Sequence, residues 1–400
     1  MDTPIRALWE IVISATQITS ESLDAQLDAV IDHAIAERRV VGTVVLVLYD
    51  SNFIYRRAAG FADREAGMPM REGSIFRLSS LTKPIVSATA LAMVERGLLK
   101  LNDEVTKWIP EFQPALADGT RPEITIRQLL NHKAGLSYRF LEPLDGPYHK
   151  ANVSDGLDQP GLSIEENLNR IASVPLAYPP GSSWGYSVSA DVLGEVIARA
   201  NCSSLPEAVT RYVTAPLAMN DTSFGIDEIS RLAVPYADSR QRPTRMAEFQ
   251  VVQSPYGYIR FAPSRACDPN SYPSGGCGMN GTADDFAKFL ETLRVSGDPI
   301  LETESAKAIT SDQTEGRGPQ PGVAFGFGLS VVTDPAVAQT PQSAGTFAWG
   351  GVYGHSWFVD PVNRLTVVIM TNTAVEGVYG RFPGQIRDSL YAARVQIFSR

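Results

Sequence analysis

Ser80-Leu81-Thr82-Lys83 sits where a polar stretch, residues 71–79, gives way to an apolar helical run, residues 85–99. A serine hydroxyl is a weak nucleophile at neutral pH and needs a base within hydrogen-bond reach. On a helix, residues three apart share a face, so Lys83 stands one turn from Ser80. The same position puts the serine at a helix N-terminus, where unpaired backbone N–H groups favour developing negative charge. Nucleophile, candidate base and oxyanion stabilisation thus fit within four residues. Serine and lysine three apart also recur by chance in a chain of 400 residues. Here lysine is scarce: of 35 basic residues seven are lysine, and none of the other six follows a serine at that spacing.

A hydrophobic fraction of 44% and a charged fraction of 20% describe an ordinary globular protein. The length predicts two or three domain-sized units, or one large domain carrying an insertion. A net charge of −9 without any basic cluster argues against nucleic acid or an anionic membrane as partner. The longest apolar runs, such as residues 40–49, are too short to span a bilayer. Met1-Asp2-Thr3-Pro4 lacks the basic start of a secretory signal, and Glu10 interrupts the apolar stretch behind it, so a cytoplasmic setting is expected. Cys202, Cys267 and Cys277 lack zinc-site spacing. Free thiols are expected, although Cys267 and Cys277 could close a loop in an exported protein. Neither metal nor cofactor is expected.

Residues 21–39 read as an amphipathic helix with Leu23, Leu27, Val30, Ile31 and Ile35 on one stripe. Strand-like runs follow at 42–49 and 53–59, joined by Asp50-Ser51-Asn52. Toward the other end, 324–332, 343–349, 356–360 and 365–372 read as strands, and 383–398 as a last helix. Hairpin-length connections make such strands antiparallel. The middle, 81–218, is mainly helical, including 126–130, 164–172 and 189–200. Residues 234–278 read as a long loop of interleaved prolines, arginines and aromatics, the kind that lines or covers a site. The predicted class is α+β: a mostly antiparallel sheet built from both chain ends and flanked by helices, with a largely helical second domain. The expected division is an N-terminal extension over 1–20, a discontinuous α/β domain over 21–80 and 219–400, and a helical domain over 81–218, with the active site at their interface.

A lysine cannot accept a proton while charged, and its ordinary pKa is near ~10.4. A tyrosine hydroxyl beside it could relay the serine proton. Gly185-Tyr186-Ser187-Val188-Ser189 offers one on a loop that opens a helix, although most of the 14 tyrosines should serve packing. A third element is Ala348-Trp349-Gly350-Gly351-Val352-Tyr353-Gly354-His355. Glycines in a strand mark the close approach of a ligand or another backbone. Such an edge can turn an N–H toward a bound carbonyl as the second oxyanion donor. A glycine-rich hairpin turn with a packed tryptophan is the simpler alternative.

Ser-x-x-Lys, then the tyrosine, then the glycine-containing edge, in this order, resemble the serine β-lactamase and penicillin-binding-protein family. Gly73-Ser74-Ile75-Phe76-Arg77-Leu78-Ser79-Ser80 carries the likeness, as does Ile124-Thr125-Ile126-Arg127-Gln128-Leu129-Leu130-Asn131-His132 with Gly135-Leu136. So do Pro179-Pro180-Gly181 ahead of Tyr186, and Gly275-Gly276-Cys277-Gly278 ahead of a helix over 283–293. The resemblance implies Ser80 as nucleophile, Lys83 with Tyr186 as the base pair, and the N–H groups of Ser80 and Val352 as the oxyanion hole. It implies Trp349, Gly350 and Gly351 along the substrate, with Tyr138, Tyr256, Tyr258 and Phe261 as further candidates.

Two departures carry functional information. Val188 stands where the family usually has asparagine, and Trp349-Gly350-Gly351 where it usually has Lys-Thr-Gly. Losing a cation and a hydroxyl removes charge-assisted hydrogen bonds to a substrate carboxylate. Such a site should prefer uncharged, more apolar acyl groups. The Trp-Gly-Gly pattern with Val-Tyr-Gly-His-Ser-Trp behind it is similar to family VIII carboxylesterases. The expected function is therefore a carboxylesterase cleaving small esters of short to medium acyl chains through an acyl-enzyme on Ser80. A β-lactamase or D,D-peptidase, an acyltransferase of the same fold, and a catalytically silent scaffold are the alternatives; an intact Ser80, Lys83 and Tyr186 set argues against the last.

Gly181-Ser182-Ser183-Trp184-Gly185 fits Gly-x-Ser-x-Gly, a pattern that needs a strand leading in and a helix leading out. Pro175, Pro179 and Pro180 exclude a central strand there. Only His355 follows as a triad histidine, and its neighbours read as a strand edge. The elbow is rejected.

Overall fold

The computed structural model describes residues 23–239 and 241–397. The extension expected over 1–20 lies outside the described residues. Residues 23–36 form α1; the helix expected over 21–39 ends at residue 36, and residues 21–22 lie outside the described residues. Strands β1 (Gly42–Tyr49) and β2 (Asn52–Asp63) follow. Between them Asp50 and Ser51 have φ of 50° and 64°. Two successive left-handed residues make a two-residue hairpin turn that suits the twist of the flanking strands. β2 runs on past residue 59 to pair with the short β3 (Met68–Pro69).

The C-terminal half supplies β4 (Val323–Phe325), β5 (Ser330–Val332), β6 (Phe347–Gly351), β7 (His355–Asp360) and β8 (Leu365–Thr371). The eight strands form one sheet in the order β4-β5-β6-β7-β8-β1-β2-β3, and the described pairings are antiparallel. The two chain ends meet at its centre, with Thr43 opposite Thr371 and Tyr49 opposite Leu365. Four longer helices flank the sheet or the site: α2 (Thr82–Glu95), α3 (Ser189–Ala200), α4 (Ala283–Val295) and α5 (Arg381–Ile397).

β1 and β8 are apolar along nearly their whole length because both faces of the sheet are covered. Val45, Val47, Val367 and Ile369 pack with Leu27 and Ile31 of α1 and Phe382 and Ile386 of α5. Val44, Leu46, Val368 and Met370 join the larger core on the opposite face, which contains α2. Residues 82–93 of α2 are all buried. A helix apolar on every side belongs in a core, and this one carries Lys83 inward with it.

Two expectations need correction. The single strand expected over 324–332 is broken into β4 and β5, because Gly328 takes φ 83° and the Gly326 N–H closes the turn on the Leu329 carbonyl. Glycine accepts that left-handed conformation without steric cost. The loop expected over 234–278 contains a hairpin, Gln250–Ser254 with Gly257–Phe261, and a short pair, Tyr236–Ala237 with Thr244–Arg245. Val252, Ile259 and Phe261 are buried, while Val251 and Tyr258 are exposed. That period of two is present in the sequence but obscured by the surrounding prolines and arginines. Cys202, Cys267 and Cys277 are free thiols. Among the described residues no helix is long and apolar enough to cross a membrane.

Candidate active site

Ser79–Leu81 form a single 3-10 turn that runs straight into α2. Ser79 sits at φ 46°, a conformation non-glycine residues seldom adopt. Its surroundings hold it there: Ser79 Oγ accepts the Tyr353 N–H at 3.2 Å, and His355 Nε2 donates to the Arg77 carbonyl at 2.8 Å. The end of β6 lies against the same turn. A Cβ on Gly351 would stand 2.6 Å from the Leu78 carbonyl oxygen, so this approach requires glycine.

Three side chains from distant parts of the chain converge on this turn. Lys83 Nζ donates to Ser80 Oγ at 3.1 Å and to the Gly276 carbonyl at 2.9 Å. Tyr186 Oη lies 2.8 Å from Ser80 Oγ, and Trp349 Nε1 donates to that same phenol oxygen at 3.3 Å. Ser80 is 5% exposed and Lys83 1%. Tyr186 comes from the loop ahead of α3, and its ring is held by His132, Tyr138 and Trp349 at centroid distances of 5.0, 4.9 and 5.1 Å. Gly276 is held in turn by Asp191, whose Oδ1 accepts the Gly276 N–H at 3.0 Å and the Ser274 hydroxyl at 2.6 Å.

Burial by itself would lower the Lys83 pKa, but Tyr186 and Asp191 outweigh it and hold the ammonium above the ordinary lysine range. Lys83 is therefore a charged donor at neutral pH. Of the two groups hydrogen-bonded to Ser80 Oγ, only Tyr186, in its phenolate form, can then take a proton from it. Burial, with the Lys83 charge, drives His132 well below the ordinary histidine range, so the ring against Tyr186 is neutral. Burial also pushes Cys277 up to about 11, leaving a thiol rather than a competing thiolate.

Ser80 opens onto a cavity of about 800 Å³ that Tyr186, Trp349, Gly350, Val352 and Tyr256 also line. The backbone N–H groups of Ser80 and Val352 have no protein acceptor among the described residues. Gly351 is turned against Leu78 instead. The remaining sequence candidates lie elsewhere. Tyr138 is buried behind Tyr186 and stacked on Phe140 at 4.9 Å, with Lys83 Nζ 5.3 Å from its ring centre. Phe261 is buried against Tyr353, and Tyr258 lies on the exposed face of the hairpin, as strand alternation requires. Only Tyr256, at the hairpin turn, reaches the cavity.

Val188 is fully buried and presents no polar group at the position where the family usually has asparagine. Ser183 lies in a turn with no strand leading in, and His355 is engaged with the Arg77 carbonyl. Sequence reasoning missed Asp191, His132 and the Gly276 carbonyl as members of the site. The glycine cluster 275–278 was the available signal. A Cβ on Gly275 would stand 2.2 Å from the Ala190 carbonyl, so the loop can pass that close to α3 only with glycine there.

An antiparallel sheet whose free edge lies along a serine-bearing buried helix is the architecture of β-lactamases and penicillin-binding proteins. The chain belongs to the beta-lactamase family, whose model matches residues 27–389. It is 48% identical to the esterase EstB of Burkholderia gladioli over 386 residues, 95% of this chain and 98% of that protein. Among solved structures, EstCE1, described as a hydrolase with promiscuous acyltransferase activity, aligns with a TM-score of 0.89 at 43% identity, over 94% of this chain and 100% of that one. An octameric penicillin-binding-protein homologue from Pyrococcus abyssi aligns with a TM-score of 0.70 at 21% identity, over 93% and 77%, and shares the fold.

Proposed function

We propose that this chain is a carboxylesterase of the family VIII type, a serine hydrolase that forms its acyl-enzyme on Ser80. Tyr186 acts as the phenolate: Ser80 Oγ attacks the ester carbonyl while its proton passes to the anionic Tyr186 Oη, leaving a neutral phenol. The Lys83 ammonium and the Trp349 indole N–H both face the tyrosine–serine pair and stabilise the phenolate before it takes the proton. The carbonyl oxygen, now negative, takes the N–H groups of Ser80 and Val352. Tyr186 returns the proton to the leaving alcohol, and the same groups then activate water to release the acid. The catalytic groups stand where the discontinuous α/β domain, 21–80 and 219–400, meets the helical domain, 81–218. The free thiols are in keeping with a reducing, cytoplasmic setting.

The observation that carries this reading is Ser80 Oγ held by Lys83 and Tyr186 at 3.1 and 2.8 Å, opening on a mostly apolar cavity. Arg387 is the one charged side chain among the described residues lining that cavity, and it is paired with Asp388 at 2.8 Å. An uncharged ester therefore suits the site better than a β-lactam carboxylate. Brief exposure to a fluorophosphonate followed by mass spectrometry tests it. Modification at Ser80 is expected; modification at Ser183, or none, overturns the assignment.

An apolar cavity also admits an alcohol in place of water at the second step, and EstCE1 carries such a transferase description. Adding a primary alcohol should yield a new ester alongside the acid.

Two further outcomes follow from the geometry. Gly351→Val places a branched side chain against the Leu78 carbonyl and shifts β6 away from Ser80. A displacement of that size should lower kcat/KM by about 100-fold, measured with p-nitrophenyl butyrate. The pH profile should show no falling limb from Lys83 below about pH 10, because its neighbours hold the ammonium above the ordinary lysine range. Rate measurements on the wild type from neutral pH upward check this; a loss of activity near pH 8 that disappears in Lys83→Arg would contradict it.

A further inference from the structure

The cavity that holds Ser80 does not end at the reacting groups. β5 pairs with β6 only at Ser330–Ala348 and Val331–Phe347, so Trp349, Gly350 and Gly351 form a free edge. Side chains alternate across a strand. Trp349 and Trp357 belong to the face of the sheet that carries α2, whereas Ala348, Phe358 and Ile369 belong to the face covered by α1 and α5. Residues of both faces line this one cavity, together with Pro383 and Gly384 of α5. It therefore passes round the edge at Gly350 into a second lobe between the sheet and the first turns of α5. The total of about 800 Å³ lies toward the upper end of ligand pockets, which run to roughly 1,000 Å³, and exceeds what a butyrate ester needs.

We infer that this second lobe is a subsite for a long apolar arm, so the enzyme takes medium- to long-chain alkyl esters beyond the short to medium chains expected from sequence. The inference rests on the esterase reading above. The arm starts at the carbonyl beside Ser80, passes Gly350 at the sheet edge, and lies under α5. Its continuity with the Ser80 cavity identifies the occupant as substrate rather than a separate ligand.

The test is kcat/KM for p-nitrophenyl acetate, butyrate, octanoate and dodecanoate with the wild type, Gly384→Ala and Gly384→Leu. A Cβ at Gly384 meets no atom within 4 Å, so both side chains enter open space. The wild type should keep dodecanoate within about tenfold of butyrate. Gly384→Leu should lower the dodecanoate-to-acetate ratio by at least about tenfold, since a single methylene in a pocket is worth that much; Gly384→Ala should fall between. Fluorophosphonate labelling of Ser80 at full stoichiometry certifies each variant as folded. An unchanged ratio in Gly384→Leu, or a wild-type rate that collapses beyond butyrate, overturns the subsite while leaving the esterase reading intact. A protein that hydrolyses no ester and takes no label at Ser80 overturns both.

Discussion

Ser80→Ala is expected to abolish hydrolysis of p-nitrophenyl butyrate, by about four to six orders of magnitude, while Ser183→Ala keeps most of it. Without the Oγ there is no acyl-enzyme, and what remains is positioning and the oxyanion donors, a small residue of the full effect. The variant should fold normally. Ser80 Oγ is hydrogen-bonded to Lys83 Nζ and Tyr186 Oη, and Lys83 keeps the Gly276 carbonyl as an acceptor. Intact thermal melting with lost turnover separates a chemical role from a structural one. Loss in Ser183→Ala with retention in Ser80→Ala would reverse the assignment of the nucleophile.

Tyr186→Phe and Lys83→Ala should each lower kcat by about two to four orders of magnitude, the usual range for removing a positioned proton-transfer group. The two differ in what else they disturb. Phenylalanine keeps the ring packing against His132, Tyr138 and Trp349 and removes only the oxygen. Its melting temperature should stay close to wild type. Lys83→Ala leaves the Gly276 carbonyl without its ammonium and empties a fully buried site, so it should also melt lower. The rate of phosphonate labelling should fall in parallel with turnover, since both require Ser80 to lose its proton. A Tyr186→Phe variant that keeps more than a tenth of its activity would hand the proton to Lys83 and contradict the charge state argued for that lysine.

Much of this was legible without coordinates because the signals are local. β1 and the helices at Ile126–Leu130, Ile164–Ala172 and α3 occur at the expected bounds, since each is marked by its own periodicity and by a turn or cap at its ends, as with Thr125 and Gln128. The hairpin at 250–261 escaped notice because its alternation is short and bracketed by prolines. The break at Gly326 and Gly328 was hidden by the apolar residues on either side.

What the amino-acid order determined by itself was the chemistry-bearing turn Ser80 to Lys83, the pairing of strands from the two chain ends, and the glycines that permit close approach. These depend on residue type and short spacing. Only the tertiary structure decided that Gly276 rather than a carboxylate receives Lys83, that Trp349 donates to Tyr186, and that the cavity bends round Gly350 beneath α5. The two hydrogen bonds join residues more than 150 positions apart, and the geometry of all three features is set by how whole elements pack, which no local pattern encodes.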